Sequence, residues 1–134
     1  MFEVPEYPKE SLAANKRNAI AFYRTAYRGD PSSAVANHVG AQYIQHNPLV
    51  GDGKQAFIDY FQQMAEAYPE KDITFLRAVA EGDLVALHTH QIWRGGEEYV
   101  TMDFFRFDDQ GKIVEHWDAI QEIPATSRNG NTMY

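Results

Sequence analysis

The chain contains no cysteine, which excludes disulfides, thiolate metal sites and a cysteine nucleophile. It has no apolar run of about 18 residues, so no segment reads as a membrane-spanning helix. Positive charge is scarce: 12 Lys and Arg stand against 19 Asp and Glu, for a net charge of −7. With no basic stripe to meet a phosphate backbone, nucleic acid is excluded as the expected partner. The opening MFEVPEYPKES lacks the apolar centre of a signal segment, and the default expectation is a cytoplasmic location. There is no internal repeat and no low-complexity tract. What remains is ordinary for a globular chain, with 44% hydrophobic and 23% charged residues. The 134 residues suit a single domain, 1–134, able to bury roughly two thirds of its unfolded surface.

Residues 1–10 read as a Pro-broken lead-in, with Ser11 placed to cap a helix. In LAANKRNAIAFYRTAYRG, Ala19, Ile20, Tyr23, Ala26 and Tyr27 fall on one helical face, and Gly29 can end the helix. Asp30 and Pro31 read as the cap and first position of a short second helix, PSSAVANHV. AQYIQHNP is a short extended piece, because Pro48 disfavours helix before it. VGDGK is a turn that starts a third helix, QAFIDYFQQMAEAY, with Phe57, Phe61, Met64, Ala65 and Tyr68 on one side and Pro69 as its stop. It has no strand-to-helix phosphate-loop pattern. The second half holds four strand-like runs broken by the turn signals EGD, GGE and DDQG. Helices followed by a strand meander predict an α+β fold, with helices on one face of an antiparallel sheet. The tail 125–134 reads as polar and irregular, with the apolar ends Met133 and Tyr134 able to dock.

Within YVTMDFFRF, Asp103 stands between Met102 and Phe104, where desolvating a carboxylate costs several kcal/mol unless something compensates. Strand alternation groups it with Tyr99, Thr101, Phe105 and Phe107. The neighbouring runs group Leu84, Ala86, His88, His90 and Ile92, and Val114, His116, Asp118 and Ile120. Trp93, Met102, Phe104 and Trp117 then share the opposite face. Such a patch is too apolar to leave in water, and it predicts a homodimer through that face.

The stretches YIQHNP, EGDLVALHTHQ and DFFRFDDQGKIVEHWD resemble the SnoaL-like polyketide cyclases of the nuclear transport factor 2-like superfamily. The resemblance runs from the first helix to QEIP. It implies a cone, in which about three helices wrap a curved antiparallel sheet around a pocket, and commonly a dimer. It further implies cofactor-free chemistry, an aldol condensation or isomerisation of a small carbonyl compound. The aspartate before FR, Asp103, matches the family's general acid/base, and His90 matches the histidine that accompanies it.

His46, in IQHNP, is expected at the cone mouth as a third catalytic group. His88, His116, Asp118, Tyr43, Phe105 and Phe61 complete the expected pocket, with His116 and Asp118 able to form a dyad. Tyr43 and Trp117 read more readily as core or interface residues, and His38 as a surface residue. The residues alone leave Asp103 open between a proton-transfer group and a structurally paired carboxylate. His46, His88, His90, His116, Asp103 and Asp118 also contain the makings of a two-histidine, one-carboxylate metal set, although no spacing demands an ion. Three functions follow: a proton-transfer enzyme, a binding or assembly domain without chemistry, and a metal-dependent hydrolase or oxygenase.

Overall fold

The computed structural model describes residues 7–93 and 95–134; the first six residues of the lead-in lie outside it. The elements run α1 (Lys9–Tyr27), α2 (Pro31–His38), β1 (Val39–Gln45), α3 (Lys54–Ala67), β2 (Asp72–Glu81), β3 (Leu84–Trp93), β4 (Glu97–Phe107) and β5 (Ile113–Glu122). Helix α1 starts before Ser11, which caps nothing. Pro8 takes the N-cap position with φ −56° and ψ 143°, and its carbonyl accepts from the Leu12 N–H at 3.1 Å. Asp30 does cap α2, its carboxylate accepting from the Ser33 N–H at 3.1 Å, with Pro31 first in the helix. His38 ends α2 half-buried rather than on the surface. Gly53, at φ 91°, gives α3 an entry that a side chain would strain.

The strands form one sheet in the order β1-β5-β4-β3-β2. Strands β2 to β5 are the expected antiparallel meander. Strand β1 adds to the edge of β5 in parallel, so the sheet is mixed rather than antiparallel throughout. The whole meander separates β1 from β5, and no hairpin dictates their direction.

One sheet face packs under the helices. Phe22 of α1 is fully buried at its centre, with ring centroids of Phe57 at 4.7 Å, Tyr43 at 6.0 Å and Phe105 at 6.0 Å. Register decides which strand residues join it. Leu87 pairs with Asp103, and Thr89 with Thr101; these point inward with Gln91 and Trp93. His88 pairs with Met102, and His90 with Val100; these point outward. Trp93 is therefore removed from the outer patch, whose exposed apolar members are Val79, Ile92, Met102 and Phe104. Trp117 does face outward, stacked on the His46 ring at 4.9 Å.

The chain beyond Glu122 has no helix or strand, as expected. Its end nevertheless docks on the outer face. The His88 Nε2–H donates to the Met133 carbonyl at 3.0 Å, and Tyr134 stacks on His90 at 4.1 Å.

The β4–β5 turn is locked against the start of β1. Asp108 Oδ1 accepts from the N–H groups of Gln110 at 2.9 Å and Lys112 at 3.0 Å. A Cβ on Gly40 would lie 2.7 Å from Asp108 Oδ2 and 3.0 Å from Val114 Cγ1. The held carboxylate cannot swing clear. Gly40→Ala is expected to destabilise the protein by about 1–3 kcal/mol in urea unfolding; an unchanged midpoint would mean that the turn yields freely.

Candidate active site

Asp103 is 1% exposed, and three elements supply what its carboxylate needs. Tyr23 of α1 donates its hydroxyl proton to Oδ1 at 2.6 Å, and Thr101 of β4 donates to Oδ2 at 2.5 Å. His116 of β5 places Nε2 2.9 Å from Oδ1, and 2.7 Å from the Tyr23 oxygen. The opposite ring nitrogen is oriented by β1. Gln45 Oε1 accepts from the Asn47 backbone N–H at 3.0 Å, which identifies it as the oxygen, and His116 Nδ1–H donates to it at 2.7 Å. Both His116 nitrogens thus face acceptor oxygens.

The other side of Asp103 is held by a chain of hydroxyls and amides across β3 and β4. Tyr27 donates to Gln91 Oε1 at 2.6 Å, and Trp93 Nε1–H to the same oxygen at 2.7 Å. Gln91 Nε2–H then donates to Thr89 at 3.0 Å. Thr101 spends its proton on Asp103, so Thr89 donates to Thr101 across 2.5 Å. The chain is polarised toward the carboxylate from end to end. Burial, followed by the charge of Asp103, pushes the hydroxyls of Tyr23, Tyr27 and Tyr43 well above the ordinary tyrosine range. They stay protonated, and Tyr23 and Tyr27 remain donors.

Above this floor lies a pocket of about 390 Å³. Phe61, Tyr60 and Met64 of α3 wall it on one side, with Leu49 and Val50 on the loop before them. Trp93 and Tyr99 close the β3–β4 side, and Tyr23, His116 and Asp118 line the polar end. Asp118 is the carboxylate on the pocket wall. Its side chain is 8% exposed, and Oδ2 lies 4.0 Å from His116 Nε2. It accepts from Asn47 Nδ2–H at 3.0 Å. Burial pushes its carboxyl above the ordinary range, more than the pull of His116 and the Asn47 hydrogen bond lowers it.

Of the residues expected at the site, the fold brings together Asp103, His116, Asp118 and Phe61. Asp103 sits one layer beneath the pocket, behind Tyr23 and His116, and does not line it. Phe105, at 0% exposure, is core below the floor, 4.8 Å from the His116 ring. Tyr43 is core too, stacked beneath His116 at 6.2 Å.

The three other histidines expected at the site lie on the far side of the sheet. His90 Nε2–H donates to Glu98 at 2.7 Å. His88 accepts from Arg77 Nη1 at 3.0 Å. His46 donates to Glu115 at 2.8 Å, and Glu115 also accepts from Arg106 at 2.8 Å. Their outward direction follows from strand alternation and corrects the expectation that His46, His88 and His90 meet Asp103. It also dissolves the two-histidine metal set. Asp103, His116 and Asp118 do bring candidate ligand atoms within 4.8 Å of one another, but Tyr23 and Thr101 already occupy both oxygens of Asp103.

Sequence reasoning missed Tyr23, Gln45, Asn47 and Gln91. A signal existed for β1. If Tyr43 packs inward, alternation sends Gln45 and Asn47 inward with it and turns His46 out.

The raised carboxyl of Asp118 has a consequence for stability. The folded state holds this proton more tightly than the unfolded chain does. Stability therefore falls as pH rises from the ordinary value of 3.8 through the raised one. Asp118→Asn is expected to raise Tm near neutral pH, with the gain fading toward about pH 3, where both states are protonated. A gain that grows in acid would show the opposite shift.

No curated protein sequence matches the chain. Among solved structures, TsrD from Streptomyces laurentii is 21% identical with a TM-score of 0.68, over 87% of this chain and 92% of that one. A candidate polyketide cyclase from Bacillus cereus is 16% identical with a TM-score of 0.75, over 90% and 89%. An epoxide hydrolase of the LEH-like type from M. tuberculosis is 17% identical with a TM-score of 0.67, over 82% and 84%. These likenesses establish the nuclear transport factor 2-like α+β cone. Residues 19–116 match the SnoaL-like domain, and the chain belongs to that family.

Proposed function

We propose that the protein is a cofactor-independent proton-transfer enzyme, catalysing an aldol condensation or isomerisation of a small carbonyl compound. The observation that carries this reading is Asp118, a carboxylate on the wall of an apolar pocket, with a carboxyl raised by burial and a histidine 4.0 Å away. A base whose affinity for protons approaches the working pH is the more effective one. Asp118 takes the proton from the carbon next to the carbonyl. As charge develops on the enolate oxygen, the Tyr23 hydroxyl turns from Asp103 Oδ1 to meet it, and the His116 Nε2–H takes the freed place on the carboxylate. Asp118 then returns the proton to another carbon in an isomerisation, or the enolate carbon bonds to a second carbonyl whose oxygen takes a proton from the His116–Tyr23 pair, and Asp118 passes its proton back to that pair across the 4.0 Å to His116. Asp103 acts through these two donors and is a positioning residue. Its match to the family's acid/base position is thereby reassigned: the role on the pocket wall passes to its cross-strand partner.

Hydrogen–deuterium exchange tests the first step without knowledge of the natural substrate. In D2O, the protein is expected to exchange the α-protons of small ketones such as benzylacetone, followed by NMR. The rate should rise with pH through a midpoint above 3.8, the ordinary carboxylate value. Asp118→Asn should lose about 10²–10⁴-fold, and Asp103→Asn should lose less. Exchange that survives Asp118→Asn and vanishes in Asp103→Asn would return the base to Asp103. Ketone binding with no exchange in any variant would favour a binding domain without chemistry.

The outer sheet face supports the further reading that two copies pair. Met102 is 50% exposed and Phe104 45%, side by side on the outward side of β4. The docked tail contacts His88 and His90, and Met102 and Phe104 remain exposed beside it. Analytical ultracentrifugation should find a dimer, and Phe104→Glu should shift it to monomer. A monomeric wild type at micromolar concentration would sink the pairing.

A further inference from the structure

We infer that the pocket admits an uncharged carbonyl compound and excludes anions, so that any carboxylate, sulfate or phosphate of the ligand must remain outside; this rests on the reading of the pocket as the substrate site. Among the described residues lining the pocket there is neither lysine nor arginine. The titratable groups that face it are four tyrosines, His116 and Asp118. Asp103 lies directly behind its floor, 2.9 Å from His116. One imidazole therefore already answers to two carboxylates, at 2.9 Å and 4.0 Å.

A ligand carboxylate placed against His116 would be the third carboxylate around a single imidazole. It would give up its water for a wall of aromatic and aliphatic side chains, with no new counterion. Arg106 is held on the outer face by Glu115 at 2.8 Å, Arg77 reaches His88 on the same face, and Lys112 Nζ donates to the Asn37 carbonyl at 2.8 Å. A neutral carbonyl oxygen meets no such penalty. It accepts a hydrogen bond and brings no charge, while its apolar remainder covers Phe61, Met64 and Trp93.

The test uses three probes of one skeleton: benzylacetone, hydrocinnamamide and hydrocinnamate, which differ at the carbonyl end as ketone, amide and carboxylate. Titration calorimetry near neutral pH is expected to show binding of both neutral probes, and at least tenfold weaker binding of hydrocinnamate. Asp118→Asn should narrow that gap tenfold or more. Ile120→Lys places a cation on the pocket wall at a residue that is 49% exposed, where a new side chain is tolerated, and should likewise raise hydrocinnamate affinity. Hydrocinnamate binding as tightly as its amide overturns the inference, as does a gap that neither variant narrows or a pocket that takes neither neutral probe. Discrimination against hydrocinnamate without α-proton exchange on benzylacetone would remove the proposed chemistry and leave this selectivity standing.

Discussion

A carboxylate held at 1% exposure within the sheet sets the terms for everything around it. An ionised group in that position is tolerable only when hydrogen-bonded on every side, and losing one partner leaves a buried charge short by about 1–3 kcal/mol. Asp103 takes its donors from α1, β4 and β5. The Tyr23 bond therefore fixes where α1 crosses the sheet, in a way that apolar contacts among Phe22, Phe57 and Phe105 cannot, since such contacts tolerate sliding. The same demand propagates outward. His116 needs Gln45 to orient it, and Thr101 needs Thr89 as its own donor, which in turn needs Gln91. A fully satisfied network of this length specifies one arrangement of the helix on the strands.

The network also accounts for the empty space above it. Its upper surface, made of Tyr23, His116, Gln91 and Asp118, is polar, and apolar side chains of α3 packed directly onto it would strand those groups. Helix α3 instead walls the space with Phe57, Tyr60, Phe61 and Met64, leaving about 390 Å³. The pocket and the buried charge are thus one structural solution. The outer face carries a second polar layer, His46, Glu115, Arg106, His90 and Glu98, which handles its charges in water-facing pairs and needs no cavity.

Much of this was legible in the residues. Helical spacing at Ala19, Tyr23, Ala26 and Tyr27, the Asp30–Pro31 cap and the three glycine-bearing turns correctly outline the elements. Alternation correctly groups Thr101, Asp103 and Phe105, as it does His116 and Asp118. It fails at β3, for a physical reason. LVALHTHQIW has apolar residues on both faces, with Leu84, Ala86 and Ile92 on one and Val85, Leu87 and Trp93 on the other, so hydrophobicity cannot say which faces inward. The deciding residues are Thr89 and Gln91, whose polar groups look wrong for a core until Asp103 is seen to require them. The histidines drew attention as reactive side chains, yet on β3 they are the outward members of a strand buried on its other side. In the sequence Tyr23 reads as one more member of an apolar face, because a sequence does not distinguish a tyrosine chosen for its ring from one chosen for its hydroxyl.

Asp103 and Asp118 are direct cross-strand partners in the β4–β5 register. Two like charges in that relation are unfavourable, and the fold resolves the conflict by giving them different surroundings. Asp103 is surrounded by Tyr23, Thr101 and His116, with no path to the pocket. Asp118 has one amide donor, from Asn47, and an apolar pocket on its open side, and its carboxyl is pushed up in consequence. Environments that separate two neighbouring acids assign them separate tasks. Here the fully bonded one is enclosed by donors, and the sparsely bonded one turns a raised carboxyl toward the pocket. The fold shared with TsrD and with a hydrolase and a candidate cyclase does not decide which reaction follows. The side chains on α3 and the preceding loop set the size of the pocket, while Asp118 and His116 set the charge at its polar end.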